Sequence, residues 1–271
     1  LLGDHHELML LVRDVDKAKR MFGKGVYHTI QGDLADISTW KSKIIAFKPE
    51  AALHLAWEGI PDYGARMSIK NFENGLALME ALIKSSCKKA LMAGSCWEYG
   101  ADKGMLKEDS AVIIKNSLGA TKHALHIMAR EIAKERGMEF IWARLFYVYG
   151  PGQKETSLIP HLLKNMKKRV APILQNPSGA NDFVYVEDVA DALMHLVTKG
   201  KSGVYNIGSG TLTCVAQIVN EIYGSSVVRL PKRGTGFFAD ISRIRKETGW
   251  KPNTNIKEGV RKMLSADIVT S

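Results

Sequence analysis

The sequence is poor in the features that mark several protein classes. It contains three cysteines in 271 residues, Cys87, Cys96 and Cys214, and none of them forms a C-x-x-C pair. An odd number of scattered cysteines predicts reduced thiols rather than a disulfide framework or a thiolate zinc site. The histidines have no metal-ligand spacing and no G-x-S-x-G motif occurs, so we expect neither a metal centre nor a hydrolase nucleophile.

Long apolar runs are also missing. No stretch approaches the roughly 18 consecutive apolar residues that a membrane helix needs, and no secretory signal is visible. With 45% hydrophobic and 24% charged residues, the composition is that of an ordinary globular protein. We therefore expect a cytoplasmic protein with no membrane partner.

The chain carries a net charge of +10, from 38 lysines and arginines against 28 aspartates and glutamates. These cations are spread along the sequence, and the densest group is Lys164, Lys167, Lys168 and Arg169. Such a run is typical of a solvated helix face. Phosphate-rich small molecules explain the positive charge as well as nucleic acid does, so nucleic acid is not the expected partner.

Short apolar runs alternate with amphipathic segments along the chain. The runs lie at residues 8–12, 29–34, 51–56, 90–93 and 140–146. This alternation predicts an α/β fold, a doubly wound parallel sheet with a smaller lobe. We expect residues 1–150 plus 181–208 to form the sheet-bearing domain, and residues 151–180 plus 209–271 to form the smaller lobe.

Five segments follow one another in a recognisable order: residues 94–100 (GSCWEYG), 117–122 (SLGATK), 146–153 (FYVYGPGQ), 182–189 (DFVYVEDV) and 204–210 (VYNIGSG). Together they resemble the extended short-chain dehydrogenase/reductase family, in its NAD-dependent epimerase/dehydratase group, over nearly the whole chain. The resemblance implies a Rossmann-like dinucleotide-binding domain with a substrate-binding lobe. It also implies a homodimer, because many relatives pair through the helices that correspond to residues 71–85 and 118–136.

The same resemblance implies an NAD(P)-dependent epimerase or 4-ketoreductase that acts on a nucleotide-activated sugar. Residues 146–153 are more similar to the 4-ketoreductases than to the dehydratases. Dehydratases of this family carry an Asp-Glu pair where this chain has Cys96 and Trp97. The alternative function is a non-catalytic nucleotide-sugar-binding or scaffold protein with a decayed dehydrogenase fold.

The catalytic signature of the family is incomplete. Its Tyr-x-x-x-Lys pair places an ammonium beside a phenol on one helix face, which lowers the phenolic pKa from about 10. Here Lys122 occupies the lysine position and Leu118 the tyrosine position. The resemblance implies that Lys122 binds the nicotinamide ribose and that Ser95 polarises the reacting oxygen. The residues alone also allow a turn-capping serine and an exposed helix lysine.

Leucine exchanges no proton, so another group has to replace the phenol. Water and the hydroxyls of Tyr99, Tyr147 and Tyr149 are the alternatives, and the sequence does not choose among them. For the nucleotide sugar, the resemblance implies contacts from Tyr147 and Arg233. Asn181 stands where an arginine often meets the diphosphate.

The cofactor residues implied by the resemblance follow the early strands. Arg13 occupies the position that contacts the adenosine ribose in the family. An arginine there favours NADP mildly over NAD, because it pairs with a 2′-phosphate. Asp33 and Leu34 resemble the pair that flanks the adenine. The loop beneath the pyrophosphate corresponds to Leu55, Ala56 and Trp57.

The Gly-rich phosphate-binding turn that opens a dinucleotide fold is missing. Residues 1–7 (LLGDHHE) resemble the end of the first helix, and residues 8–14 resemble the second strand. We therefore expect a fragment without a strand, loop and helix of about 25 residues, which puts cofactor binding in doubt. Because that strand is central in the family's sheet, its absence predicts two unpaired strand edges.

Overall fold

The computed structural model describes residues 6–23, 27–174, 176–224 and 227–269. The strands are β1 Met9–Val12, β2 His28–Gln31, β3 Ala51–His54, β4 Lys89–Ser95, β5 Gly104–Leu106, β6 Glu139–Leu145, β7 Tyr147–Tyr149, β8 Gly179–Asn181, β9 Phe183–Tyr185, β10 Gly203–Ile207, β11 Thr213–Cys214 and β12 Thr235–Ala239. The helices are α1 Val15–Phe22, α2 Ile37–Phe47, α3 Ala65–Lys84, α4 Ser117–Glu135, α5 Leu158–Lys167, α6 Val186–Lys199, α7 Val215–Tyr223, α8 Ser242–Thr248 and α9 Ile256–Val269. In this described part of the chain, no helix has the length and apolarity to cross a membrane.

The chain divides into two compact units. The first unit comprises residues 1–93, 115–142 and 201–203, and the second comprises residues 94–114, 143–200 and 204–271. The functional domains expected from the sequence, 1–150 plus 181–208 and 151–180 plus 209–271, stay a prediction.

Parallel strand pairs organise two of the sheets. β1 pairs with β2 from Met9↔His28 to Val12↔Gln31. β3 pairs with β4 from Ala51↔Lys89 to His54↔Met92, and both pairs are parallel. The four-stranded sheet has the order β10-β6-β4-β3. Parallel neighbours need crossover connections, usually helices, so this arrangement confirms the predicted doubly wound α/β fold.

Among the described residues, the outer edge of β3 has no partner strand. No pairing there joins the β1–β2 pair to the four-stranded sheet, in which β3 is the last strand. Leu53 on β3 is 41% exposed and Leu55 just after it is 54% exposed. The expectation that a central strand of the family's sheet is missing stays a prediction.

In the first unit, α3 packs against α4. A Cβ added to Gly75 of α3 would lie 2.7 Å from Leu125 Cδ2 of α4, so the two helices approach closely at this glycine. α4 begins after Asn116, whose side chain accepts a hydrogen bond of 2.8 Å from the Gly119 amide. This start places Leu118 and Lys122 on the buried face of the helix.

In the second unit, a buried carboxylate ties several loops together. The small sheet there has the order β11-β8-β12-β5. Asp182, which follows β8, accepts hydrogen bonds from the Ser209 amide, the Ser209 hydroxyl, and the amides of Gly210 and Ala239. Burial raises the pKa of Asp182, and its hydrogen bonds oppose that shift. Asp182 thus fixes the loop after β10 and the end of β12.

Candidate functional site

Ser95 lies at the carboxyl end of β4 in the second unit, as the sequence predicted. Its hydroxyl accepts a hydrogen bond of 3.2 Å from the Trp97 amide, and its own amide donates to Glu98 Oε1 at 2.8 Å. These reciprocal bonds form a capping box for the short helical turn Cys96–Glu98. The serine is therefore a turn cap.

Glu98 links this turn to a buried arginine. Its Oε2 accepts a hydrogen bond of 3.2 Å from Arg144 Nε, and both side chains are almost fully buried. The Arg144 guanidinium also lies 4.4 Å from the centre of the Tyr99 ring. Sequence reasoning missed this ion pair. Its signal was an arginine inside the apolar run of β6, since an arginine there needs a buried partner.

Tyr99 and Tyr149 are buried phenols. Tyr99 is 0% exposed and donates a hydrogen bond of 2.7 Å to Asn206 Oδ1. Burial raises the pKa of Tyr99 to about 12. Tyr149 is 1% exposed, and burial raises its pKa as well. Neither hydroxyl is placed or tuned for proton exchange with a substrate.

Tyr147 differs from both of these tyrosines. It is only partly buried, and its hydroxyl accepts a hydrogen bond of 3.3 Å from Trp97 Nε1. Cys96, which precedes Trp97 in the turn, is 3% exposed. Burial raises the pKa of its thiol, as expected for a small apolar core residue.

A pocket of about 360 Å³ opens beside Tyr147 in the second unit. The described residues that line it carry no charged side chain, and they are Tyr147, Val148, Tyr149, Gln153, Ser157, Leu158, Ile159, Asn181 and Phe183. Arg233 lies in an exposed bend before β12 and is not among them. The pocket therefore suits an uncharged ring with hydroxyl or amide groups better than it suits a diphosphate.

In the first unit, Lys122 is 7% exposed. Its Nζ donates a hydrogen bond of 2.6 Å to the Ala93 carbonyl and lies 3.9 Å from the centre of the Trp57 ring. His54, at the end of β3, is also buried, and burial together with the charge of Lys122 lowers its pKa to about 4. Lys122 and Trp57, both expected to bind the cofactor, are thus in contact.

Leu118 is 6% exposed, and it lies on α4 one turn before Lys122. The side chain is packed as a core residue. It offers no polar atom in place of the family's phenol.

A second polar group follows β1 and β2. Arg13 lies 3.9 Å from Asp33 and 3.8 Å from Glu58, and Lys70 lies 2.8 Å from Glu58. Asp33 also accepts a hydrogen bond of 2.9 Å from the Ala35 amide. Arg13 and Asp33 are thus brought together, with two further charges that the sequence did not reveal.

The remaining expected cofactor residues take less defined positions. Leu34 is partly buried, whereas Leu55 and Ala56 are exposed. The loop after them is held by Asn71, whose side chain accepts from the Glu58 amide and donates to the Glu58 carbonyl. Asn71 lies within α3 and not at its start, so it clamps a loop and does not cap the helix.

Residues 1–208 match the NAD dependent epimerase/dehydratase family. The chain is 25% identical over 212 residues to the dTDP-4-dehydro-6-deoxyglucose reductase of Escherichia coli, which covers 73% of this chain and 67% of that protein. It is 26% identical over 257 residues to a trifunctional UDP-glucose 4,6-dehydratase/UDP-4-keto-6-deoxy-D-glucose 3,5-epimerase/UDP-4-keto-L-rhamnose-reductase of Arabidopsis thaliana. That match covers 87% of this chain but 38% of the plant protein, so the chain spans well under half of it.

A solved structure has the same fold. It is a variant of the UDP-glucuronic acid 4-epimerase of Bacillus cereus in complex with UDP-4-deoxy-4-fluoro-glucuronic acid and NAD. The TM-score is 0.78 at 19% sequence identity, and the match covers 95% of this chain and 86% of that one. At this identity the likeness shows a shared Rossmann-like fold.

Proposed function

Because this chain belongs to the NAD-dependent epimerase/dehydratase family, we propose that it is an NAD(P)-dependent 4-ketoreductase or epimerase of a nucleotide-activated sugar, with impaired turnover. The observation that carries the proposal is the Ser95 hydroxyl, which the Trp97 amide holds at the carboxyl end of β4. The reductase of Escherichia coli among the relatives supports the same reaction class.

The first unit offers groups that suit a dinucleotide. Lys122 would hold the nicotinamide ribose, in place of its contacts with the Ala93 carbonyl and Trp57. Arg13, whose side chain is 69% exposed, would meet the adenosine ribose or its 2′-phosphate. Asp33 and Glu58 beside Arg13 oppose a second negative charge, so the preference for NADP over NAD is small.

The proposed reaction includes a proton transfer at the sugar oxygen. A bound nicotinamide would supply or accept the hydride, and Ser95 would hydrogen-bond the sugar oxygen. Reduction delivers a proton to that oxygen, and the reverse oxidation needs a base to remove it. Leu118 provides neither group. Loss of a proton-transfer residue typically slows a reaction by about 10² to 10⁴, so we expect slow reduction of a 4-keto sugar.

Two variants at Leu118 test this function. The wild type, Leu118→Tyr and Leu118→Phe are compared for NADPH and NADH binding by fluorescence, and for reduction of UDP- and dTDP-4-keto-6-deoxyglucose. We expect cofactor binding by all three, slow turnover by the wild type, and faster turnover only by the tyrosine variant. Leu118→Phe is the matched control, because it adds the ring without the hydroxyl. Absence of cofactor binding in all three proteins would contradict the proposal.

A second function is a non-catalytic nucleotide-sugar-binding protein. The packing of Leu118 as a core residue, 6% exposed, favours it, since nothing in that position transfers a proton. The same experiment separates the two functions. Binding of UDP-sugar by calorimetry, together with no turnover by the wild type or by Leu118→Tyr, would support the binding protein.

A further inference from the structure

One carboxylate of the first unit contacts two cations. Glu58 Oε1 lies 3.8 Å from Arg13 Nη1, and Glu58 Oε2 lies 2.8 Å from Lys70 Nζ. The two oxygens thus face different cations, one just after β1 and the other on α3. The contact with Lys70 is a charge-assisted hydrogen bond, and it raises the pKa of Lys70. Arg13 and Lys70 therefore converge on one anionic group.

The backbone of Glu58 is held by α3. Asn71, which is 5% exposed, accepts a hydrogen bond of 2.7 Å from the Glu58 amide and donates one of 3.0 Å to the Glu58 carbonyl. Asn71 directly follows Lys70 in the helix. An exposed ion pair usually contributes little, because two mobile side chains have to be held in one geometry. Here α3 holds both the backbone of Glu58 and the ammonium that contacts its side chain, so this carboxylate has a defined position.

The three charged side chains remain open to a ligand. Their exposed fractions are 69% for Arg13, 41% for Lys70 and 30% for Glu58. A phosphate monoester binds arginine and lysine through its oxygens as a carboxylate does, and it carries a charge of about −1.5 to −2 at neutral pH. The Glu58 carboxylate therefore occupies the place that a phosphate would need between the two cations, and it repels a phosphate that meets Arg13.

We propose that Glu58 is a specificity-determining residue that disfavours the 2′-phosphate of NADP, and that Lys70 is a second cation for that phosphate, held by Glu58. The inference rests on the proposed NAD(P)-dependent function, in which Arg13 meets the adenosine ribose. NAD presents a neutral 2′-hydroxyl there, from which a carboxylate can accept a hydrogen bond. The loop after β3 thus contributes to the choice of cofactor, together with the residue after β1.

The test compares the wild type with Glu58→Gln for binding of NADPH and NADH by fluorescence titration. Glutamine keeps the shape of the side chain and removes its charge. We expect the Kd for NADPH to fall by about tenfold and the Kd for NADH to stay within about twofold, because the carboxylate repels only the 2′-phosphate.

Glu80→Gln is the matched control. Glu80 also contacts two cations, Lys41 at 2.7 Å and Lys84 at 2.9 Å, and it lies near the other end of α3. The variant makes the same change of charge at a distance from Arg13. It should change the Kd of neither cofactor.

Two further measurements separate selection of the phosphate from a structural role. In the double variant Glu58→Gln with Lys70→Met the second cation is absent, so the gain in NADPH affinity should shrink to about threefold or less. A rise in NaCl from about 50 mM to about 500 mM should reduce the gain of Glu58→Gln, since salt screens exposed charges. Calorimetry with 2′,5′-ADP and 5′-AMP, which differ in that phosphate alone, should reproduce the difference between the cofactors.

The outcomes distinguish this inference from the proposed function. If the wild type binds NADH and Glu58→Gln leaves the Kd for NADPH within twofold, the inference is wrong and the proposed function stands. An equal gain for NADH, or the same gain in Glu80→Gln, would assign the effect to net charge and overturn the role of Glu58. A gain that persists in full in the double variant would remove Lys70 from the phosphate site. Binding of neither cofactor by any of these proteins would remove the proposed function, and the inference with it.

Discussion

Two tryptophans hold the residues expected to be catalytic in different ways. In the first unit, the ring face of Trp57 covers the Lys122 ammonium at 3.9 Å. In the second unit, the Trp97 amide donates to the Ser95 hydroxyl and the Trp97 indole N–H donates to the Tyr147 hydroxyl. In the proposed function, contacts of the first kind would compete with a cofactor ribose for the ammonium, whereas contacts of the second kind would orient hydroxyls beside a sugar. In that proposal the sugar side is preorganised and the cofactor side is not.

The largest expected effect concerns the buried ion pair behind Ser95. In Glu98→Ala the Arg144 charge stays buried without its partner, since the two side chains are 0% and 3% exposed. We expect a loss of about 3 to 5 kcal/mol in the free energy of unfolding, measured by urea denaturation. If the preorganisation of Ser95 depends on this pair, the affinity for UDP-sugar should fall in parallel.

An exposed ion pair of the first unit serves as the control for this variant. Glu80 lies 2.7 Å from Lys41 and 2.9 Å from Lys84 on the protein surface. Exposed pairs contribute little because water and salt screen them, so Glu80→Ala should leave the urea midpoint unchanged. Equal losses of unfolding free energy in Glu98→Ala and Glu80→Ala would show that other groups stabilise the buried Arg144 charge.

A pH dependence of stability is expected in the first unit. His54 has a pKa of about 4 in the folded protein, first because of burial and then because of Lys122, against 6.5 in the unfolded chain. Between these values the unfolded chain binds the extra proton, so stability is complete above about pH 6.5 and is lost as the pH falls towards 4. We expect a loss of about 2 to 3 kcal/mol between pH 7 and pH 4.5.

The measurement is the free energy of unfolding at both pH values, for the wild type and for His54→Gln. The variant should lose most of that pH dependence. If His54→Gln retains the full pH dependence of the unfolding free energy, other groups cause the loss of stability in acid, and His54 is not a neutral buried residue.

Local patterns predicted the strands and the position of Ser95 well. The run at 140–146 corresponds to β6 Glu139–Leu145, and the run at 29–34 corresponds to β2 His28–Gln31. β4 ends at Ser95, where the strand-end hydroxyl was expected. These elements depend on continuous apolar residues, which a single sequence displays directly.

Elements that depend on distant partners were not predictable in this way. The small sheet pairs β8 with β11 and β12, strands of three, two and five residues from separate parts of the chain. The segment 182–189 contains β9 Phe183–Tyr185 and then the start of α6 at Val186, with Glu187 and Asp188 in its first turn. Carboxylates there favour a helix start because they face the positive end of the helix dipole. The contacts of Trp57 and Trp97 likewise join residues far apart in sequence.

A smaller effect is expected for the residue that follows β1. Arg13 lies beside the carboxylates of Asp33 and Glu58, which offset part of its charge. Arg13→Ala should therefore weaken NADPH binding by about fivefold and leave NADH binding unchanged, because only the 2′-phosphate uses the guanidinium. Fluorescence titration with both cofactors measures the difference. An equal loss for both would show that Arg13 binds the ribose and does not select the phosphate.

The smallest effect bears directly on the contrast between the two tryptophans. A cation–π contact of this kind contributes about 0.5 to 2 kcal/mol. In Trp57→Ala the Lys122 ammonium no longer gives up that contact when it binds a ribose, so we expect the Kd for NADH to fall by about threefold. Trp57→Phe keeps a ring with a weaker attraction for cations, so its Kd for NADH should lie between those of the wild type and Trp57→Ala. A Kd that rises in Trp57→Ala would mean that the indole itself binds the cofactor, and the cofactor side would then be as prepared for its ligand as the sugar side.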